Sequence, residues 1–227
     1  MKGDKDEKEF YTKPSLIKKL YRLAYIFHDI MVSQKIVYYA SGGTLLGSIR
    51  HKGIIPWDND LDFCISLIDK ERFLSKTVDK LFKKYGYSIK KSINGWYRIE
   101  GKNKESADIF FIQLSKEKNE WVVKHTGKAL ELWPRDQIRL KDLYPLKQTE
   151  FGSGFILTPN RPKKSLTSLY GKSWSKVGYI TMDQEEHLEL DKPIKLKVSV
   201  FKAAKPFYNK KQIKLEKGNP YLDGVIL

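Results

Sequence analysis

The sequence contains a single cysteine, no long hydrophobic run and a minority of acidic residues. Because Cys64 is the only cysteine, the chain cannot form an internal disulfide bond. No Cys and His residues have the spacing of a zinc site. No stretch approaches the length that crosses a bilayer. The first ten residues, MKGDKDEKEF, are charged and form no apolar leader. From these absences we expect a soluble, cytoplasmic protein without a signal peptide or a transmembrane segment.

Length and charge narrow the class further. With 227 residues and 41% apolar residues, the chain can form one sizeable α/β domain with elaborations. The net charge is +16, from 43 Lys and Arg against 27 Asp and Glu. Such a charge attracts a nucleotide-activated donor, a phosphate-bearing glycan, nucleic acid or an anionic membrane. The lysines are scattered as pairs over the chain, however, and a lysine-rich solvated surface explains them about as well.

A glycine pair follows the first predicted strand. Residues 36–40 are apolar and partly β-branched, Ser41-Gly42-Gly43 breaks the pattern, and residues 44–50 favour a helix. A strand, a glycine turn and a helix N-terminus direct backbone N–H groups to one point, and glycine lets a phosphate come close. The pattern therefore predicts a phosphate seat, although a glycine pair by itself is more often an ordinary tight turn.

Three aspartates stand at alternate positions just downstream: Asp58, Asp60 and Asp62. If this segment is extended, their side chains share one face of a strand. Crowded carboxylates raise each other's pKa unless a cation neutralises them, and hard oxygen ligands suit Mg²⁺ or Mn²⁺. The alternative is a solvated acidic turn after Pro56.

Residues between the glycines and the aspartates are candidates for contacts with the donor. Arg50, His51 and Lys52 follow the predicted helix, and their side chains suit phosphate groups. A basic loop exposed to water explains them equally well. The candidate substrate-binding residues are Gly42, Gly43, Thr44, Arg50, His51 and Lys52.

The remaining pattern is that of a mixed α/β chain. Helices are predicted over residues 14–30, over 69–85 with Asp69 as its cap, and over 162–171. Asn94-Gly95 predicts a two-residue hairpin turn between residues 87–93 and 96–99. Asp108 opens an apolar strand at 106–114, and another strand is predicted at 194–201.

The run GGTLLGSIRHKGIIPWDNDLDF closely resembles the signature of the LicD/fukutin family of nucleotidyltransferase-fold enzymes. The order of a PL…F, a P and a YG…W element in the second half is also similar to that family. The resemblance covers roughly residues 14–175. It implies a nucleotidyltransferase-like mixed sheet flanked by helices, of the α/β or α+β class, with a loop-rich C-terminal elaboration. Residues 14–175 form the implied catalytic domain. Residues 1–13 are predicted to be a flexible tail, and residues 176–227, which show no family pattern, are predicted to be an extension packed on the domain.

The resemblance also implies a chemistry. In the family, the glycine turn and the Asp-x-Asp-x-Asp segment build the metal and phosphate site, and an aspartate in an Asp-Ile-Phe context joins it. The implied catalytic and metal-binding residues are Asp58, Asp60, Asp62 and Asp108, with Asp108 as the candidate general base. The implied reaction moves phosphocholine or a polyol phosphate such as ribitol phosphate from a CDP-linked donor to a glycan hydroxyl, with Mg²⁺ or Mn²⁺, and releases CMP.

Two other classes stay open on the sequence. A nucleotidyltransferase that acts on RNA or another nucleic acid would share the carboxylates and benefit from the basic surface. No RRM, KH or zinc-knuckle pattern is present, so we expect no specific nucleic-acid partner. A binding module that has lost activity is the third class, and four intact carboxylates argue against it. Peripheral contact with an anionic membrane is compatible with the charge.

Overall fold

The fold is seen in a computed structural model that describes residues 7–183, 188–197 and 201–224. Its strands are β1 (Tyr38–Ala40), β2 (Leu61–Ser66), β3 (Tyr87–Lys91), β4 (Tyr97–Gly101), β5 (Ser106–Glu117), β6 (Glu120–His125), β7 (Gln137–Arg139), β8 (Lys147–Phe151), β9 (Gly154–Thr158), β10 (Val177–Asp183) and β11 (Leu188–Lys197). Its α-helices are α1 (Pro14–Ser33), α2 (Gly42–Arg50), α3 (Lys70–Phe73), α4 (Lys76–Lys84), α5 (Gly127–Leu132), α6 (Leu140–Leu143), α7 (Pro162–Tyr170) and α8 (Pro220–Asp223).

A mixed seven-stranded sheet carries the core. Its order is β1-β2-β5-β4-β3, and the second half of the long β5 pairs with β6, which pairs with β7. Strands β2 and β5 are parallel, and the other neighbours in this sheet are antiparallel. The pairs β8-β9 and β10-β11 form two separate ribbons. The mixed sheet flanked by helices confirms the predicted fold class.

The core forms where helix α1 meets the central strands. Phe27 of α1 stacks on Phe63 of β2, with ring centroids 4.2 Å apart, and Tyr38 of β1 meets both rings edge-on. All three rings are fully buried, and burial of side chains this large contributes about 2 to 3 kcal/mol each. The predicted first helix is confirmed, and its packing through Phe27 holds β1 and β2 in place.

Local structure differs from the sequence prediction at two connections. The helix predicted over residues 69–85 is broken into α3 and α4, because the Ser75 hydroxyl accepts the Val78 N–H at 3.3 Å and caps a new helix. The hairpin β3-β4 turns at Gly95 as predicted, but its loop spans residues 92–96 instead of two residues. Both differences lie in the connections and leave the strands β3 and β4 where the sequence predicted them.

The segment before α1 is packed, whereas the sequence predicted a flexible tail over residues 1–13. A short 3₁₀ helix spans Glu7–Phe10, and Phe10 is only 5% exposed in a cluster with Ile180 and Leu196. The Thr12 N–H donates to the Pro56 carbonyl at 2.7 Å. The correction applies to residues 7–13, and residues 1–6 lie outside the described part. An aromatic side chain near a terminus can anchor it to a ribbon that is distant in sequence.

The described residues that follow β11 pack against the rest of the domain. The Ala204 N–H donates to the Ile54 carbonyl at 2.9 Å, and the Leu215 N–H donates to Gln148 Oε1 at 3.0 Å. The strand predicted at 194–201 overlaps β11, which begins earlier at Leu188, while residues 198–200 lie outside the described part. Among the described helices, none combines the length and the apolar character of a membrane span.

Candidate active site

The three alternating aspartates are not on one strand. Strand β2 begins at Leu61, so Asp62 lies on the strand while Asp58 and Asp60 lie in the loop before it. A turn after Pro56 shapes this loop, in which the Asp58 N–H donates to the Ile55 carbonyl at 3.0 Å. The predicted extended segment is therefore wrong for Asp58 and Asp60, because the turn interrupts the alternation.

The loop is tied down from outside. The Thr12 hydroxyl donates to the Asp58 carbonyl at 2.8 Å, and Trp57 packs near the Tyr11 ring, with centroids 5.9 Å apart. The N-terminal segment thus positions the acidic loop. Sequence reasoning missed this contact, since nothing local links Thr12 to a turn 46 residues later.

Asp62 is held at the start of α2. Its Oδ2 accepts the Gly43 N–H at 3.0 Å, and its own N–H donates to Thr44 Oγ1 at 2.8 Å. The backbone N–H group predicted to bind phosphate therefore holds a carboxylate of the protein. Thr44 is buried and positions β2 against α2.

The glycine pair makes room for carboxylates. A Cβ at Gly42 would lie 2.5 Å from Asp62 Oδ2, and a Cβ at Gly43 would lie 2.6 Å from Asp58 Oδ2. Gly42 also has a positive φ of 49°, which favours glycine. The sequence indicated that a group approaches these glycines closely. In the structure the approaching groups are the carboxylates of Asp58 and Asp62.

The three carboxylates share one electrostatic environment. Burial raises the pKa of Asp58 and of Asp62 well above the usual value, and the charge of Asp60 raises both further. Burial, followed by the charge of Asp108, raises the pKa of Asp60 to about 6. A Cβ at Gly43 would lie 2.6 Å from Asp58 Oδ2 and 3.6 Å from Asp62 Oδ2, so these two side chains are close, and Asp60 lines the same cavity as Asp58. The structure thus brings Asp58, Asp60 and Asp62 together beside the glycine pair.

Asp108 lies on the neighbouring parallel strand, directly opposite Asp62 in the register. The distance between Cα atoms of such neighbours is about 4.8 Å. Both oxygens of Asp108 accept hydrogen bonds from Arg98, from Nε at 2.5 Å and from Nη2 at 2.9 Å. Arg98 faces Asp108 across the β4-β5 ladder. This pairing was not predicted, and it makes Asp108 a poor candidate for the general base.

A divalent cation fits the chemistry of this donor set. Within the residues that the structure describes, Asp58, Asp60 and Asp62 form no ion pair, and burial followed by the charge of neighbouring carboxylates raises their pKa values. Carboxylate oxygens are preferred ligands of Mg²⁺ and Mn²⁺. Among the described residues, no group of three or more His, Cys, Asp or Glu side chains is arranged so that it could hold a metal ion. The fit lies in charge and donor type, and it rests on these three aspartates.

The predicted basic run is divided by the fold. Arg50 Nη1 donates to the carbonyls of Trp174 and Val177, both at 2.9 Å, and burial lowers the Arg50 pKa to about 10. His51 is buried beside Trp57, and burial together with Arg50 lowers its pKa to about 3, so it is neutral. Lys52 is exposed and lines neither cavity beside the aspartates. Only Arg50 reaches the site, where it also anchors the chain after α7.

Two cavities meet at the acidic loop. The first, called here the aromatic cavity, has a volume of about 500 Å³, and its lining includes Gly43, Arg50, Trp57, Asp58, Asp60, Tyr170 and Tyr179. The second, called here the lysine cavity, has a volume of about 1020 Å³, and its lining includes Thr12, Lys13, Lys19, Asp60, Arg98, Lys102 and Lys104. Asn59 and Asp60 line both cavities. The acidic loop therefore separates two spaces large enough for two substrates.

Tyr170 was missed as a site residue. It lines the aromatic cavity together with Asp58 and Asp60. It belongs to the YG…W element that resembles the family, which was the available signal.

Acidic residues at the start of a strand in a mixed sheet, beside a helix that begins with glycine, define a site of the nucleotidyltransferase class. The family model described as LicD/FKTN/FKRP, nucleotidyltransferase domain, matches residues 35–161. The chain belongs to this LicD/FKTN/FKRP family. The match ends before α7 and so includes the aspartates but not the wall of the aromatic cavity after residue 161.

Relatives of the chain include proteins with named activities. An uncharacterized protein of Rickettsia typhi is 31% identical over 90% of this chain and 64% of its own length. The lipopolysaccharide cholinephosphotransferase LicD of Haemophilus influenzae is 37% identical over 33% of this chain and 28% of its own length. The human ribitol 5-phosphate transferase FKRP is 25% identical over 72% of this chain and 37% of its length. The chain thus spans about two thirds, or less, of the relatives it matches.

Solved structures show a weaker likeness. The lincomycin-bound lincosamide antibiotic adenylyltransferase LnuA aligns with a TM-score of 0.41 and 15% identity, covering 69% of this chain and 85% of its own.

Proposed function

We propose that this protein is a metal-dependent transferase that moves a phospho-alcohol, phosphocholine or a polyol phosphate such as ribitol phosphate, from a CDP-linked donor to a glycan hydroxyl and releases CMP. The observation that carries the proposal is the cluster of Asp58, Asp60 and Asp62 between two cavities. Family membership and relatives named as cholinephosphotransferase and ribitol 5-phosphate transferase support the reaction type.

Asp58, Asp60 and Asp62 would hold the divalent cation. A bound Mg²⁺ or Mn²⁺ would neutralise charge on the transferred phosphoryl group and on the departing nucleotide. The aromatic cavity suits the donor, because it adjoins Gly43 and Asp58 and offers Trp57 and Tyr170 to a base or an alcohol group. Such a site works mainly by positioning and electrostatics.

The lysine cavity suits the acceptor, because it reaches the acidic loop from the other side through Asn59 and Asp60. An acceptor hydroxyl there meets Asp60 before the other carboxylates. Because Asp60 lines this cavity and Arg98 occupies both oxygens of Asp108, Asp60 replaces Asp108 as the proposed proton acceptor.

The test is a donor panel. We expect the protein with Mn²⁺ or Mg²⁺ to release CMP from CDP-choline or CDP-ribitol in the presence of glycan acceptors, and to release no CMP with EDTA. Release of UDP from UDP-sugars alone would mean glycosyl transfer and would contradict the proposal. Tight, salt-sensitive RNA binding with nucleotide addition would favour the nucleic-acid alternative.

We propose in addition that one face makes peripheral contact with an anionic membrane. Leu67 is exposed and lines a small cavity whose rim carries Lys70, Lys91 and Lys128. The fully exposed Ile93 lies in the turn between Lys91 and Gly95 of this rim, and the exposed Trp133 packs on Trp96 of the lining. Apolar side chains among lysines suit anionic headgroups. We expect sedimentation with phosphatidylglycerol vesicles to fall at least about tenfold in Ile93→Asp. Equal sedimentation of both proteins would contradict this contact.

A further inference from the structure

The lysine cavity carries a charge that a neutral glycan does not need. Its lining contains five Lys and Arg side chains, just before and on α1, on β4 and in the loop between β4 and β5, against two acidic side chains: Lys13, Lys19, Arg98, Lys102 and Lys104 against Asp60 and Glu100. Glu100 is already paired with Lys90, with Nζ 2.6 Å from Oε2, and Arg98 is already paired with Asp108, so the lysines and Asp60 decide the sign. The space therefore has a net positive potential.

Three of these lysines have no acidic partner in the part of the chain that the structure describes: Lys19, Lys102 and Lys104. Like charges around one concave surface repel one another, and a bound anion removes that repulsion. Ammonium groups on flexible stems bind phosphate as point charges without demanding one geometry. Asn103 and Ser106 line the same cavity and offer hydrogen-bond donors.

We infer that the acceptor is a phosphorylated sugar, whose phosphate lies among Lys19, Lys102 and Lys104 while its free hydroxyl faces Asp60. This inference rests on the proposed function, since it names the acceptor class for that reaction. The inference also extends the proposed function, because an acceptor bound in this way holds its negatively charged phosphate away from the carboxylates. Acceptor choice then depends on the β4-β5 loop and on α1.

The donor does not explain the lysines. Its diphosphate must reach the metal-binding aspartates, and the cavity that borders Gly43 and Asp58 is the aromatic one. The lysine cavity borders neither of these residues and meets the cluster only at the acidic loop. The aromatic donor site and the cationic acceptor site therefore lie on different sides of the acidic loop.

The experiment compares Lys102→Gln/Lys104→Gln with Lys211→Gln/Lys214→Gln, which removes the same charge from exposed positions outside both cavities. Binding of glucose 6-phosphate and of glucose is measured by calorimetry on the metal-free protein, and binding of CMP is measured with Mn²⁺. The sugar measurement is independent of catalysis, so it stands even if CMP release from CDP donors is never seen.

We expect the wild type to bind glucose 6-phosphate at least about tenfold more tightly than glucose, and to lose this preference as salt rises to about 0.5 M. Lys102→Gln/Lys104→Gln should weaken glucose 6-phosphate binding by about tenfold and leave CMP binding unchanged, and the control pair should change neither. Equal binding of both sugars, or equal binding by both variants, would overturn the inference. Weaker CMP binding in Lys102→Gln/Lys104→Gln would overturn it too, because the lysines would then serve the donor.

Discussion

Asp60→Asn should lower transfer by about 10²- to 10³-fold while making the metal-free protein more stable. The loss is expected because Asp60 lines both cavities and takes part in the acidic cluster, and removal of one such electrostatic group has effects of this size. The gain in stability is expected because the variant removes one of several crowded carboxylates. CMP release and thermal unfolding in EDTA measure the two effects.

The pH dependence follows from the raised pKa of Asp60. Its folded-state pKa of about 6 exceeds the usual value of 3.8, so the folded protein binds the proton more tightly than the unfolded chain does. The metal-free wild type should therefore lose stability as the pH rises from about 4 to about 6. Asp60→Asn should show less of this loss and be more stable by about 1 to 3 kcal/mol at neutral pH.

A matched control is Asp79→Asn on the exposed side of α4, where the carboxylate forms a helix-surface pair with Lys83. It should keep full activity and lose only about 0.5 kcal/mol of stability. Transfer within tenfold of wild type in Asp60→Asn, or a variant less stable than wild type in EDTA, would contradict the role given to the acidic cluster.

Gly42→Ala should lower kcat/KM by about 100-fold. The new Cβ would lie 2.5 Å from Asp62 Oδ2, so the carboxylate must move from the Gly43 N–H. A displacement of about 1 Å at a positioned group has effects of this size. The backbone adds a cost of about 1 to 2 kcal/mol, because Ala is strained at a φ of 49°.

Gly86→Ala separates the two effects. Gly86 also has a positive φ, of 85°, but a Cβ there would meet nothing within 4 Å. This variant should show a similar loss of stability in thermal unfolding with unchanged kcat/KM. If both variants lose activity equally, backbone strain and not contact with Asp62 explains the effect.

The sequence predicted well what local patterns and one compact motif determine. The strand, glycine pair and helix that precede the aspartates are present as β1 and α2, and the strand opened by Asp108 lies beside the strand that carries Asp62. Hydrophobic periodicity and glycine placement report short-range structure, and a neighbouring parallel strand follows from the pattern of buried strands.

The features that sequence reasoning missed depend on contacts between segments that are distant in the chain. The pairing of Arg98 with Asp108 depends on the register between β4 and β5. The predicted turn at Asn94-Gly95 concerns only β3 and β4, so it does not determine that register. The neutral, buried state of His51 depends on packing against Phe201, 150 positions later. The aromatic wall behind Asp58 comes from the chain after α7, where sequence periodicity is weak. Such placements follow from tertiary packing and not from local propensity.

Mn²⁺ binding to the purified protein, measured by calorimetry and by paramagnetic resonance, tests the central claim most directly. The account predicts saturable binding by the wild type and by Asp79→Asn, and loss of binding in Asp58→Asn, Asp60→Asn and Asp62→Asn while each variant stays folded. Identical Mn²⁺ titrations for the wild type and these three variants would contradict it.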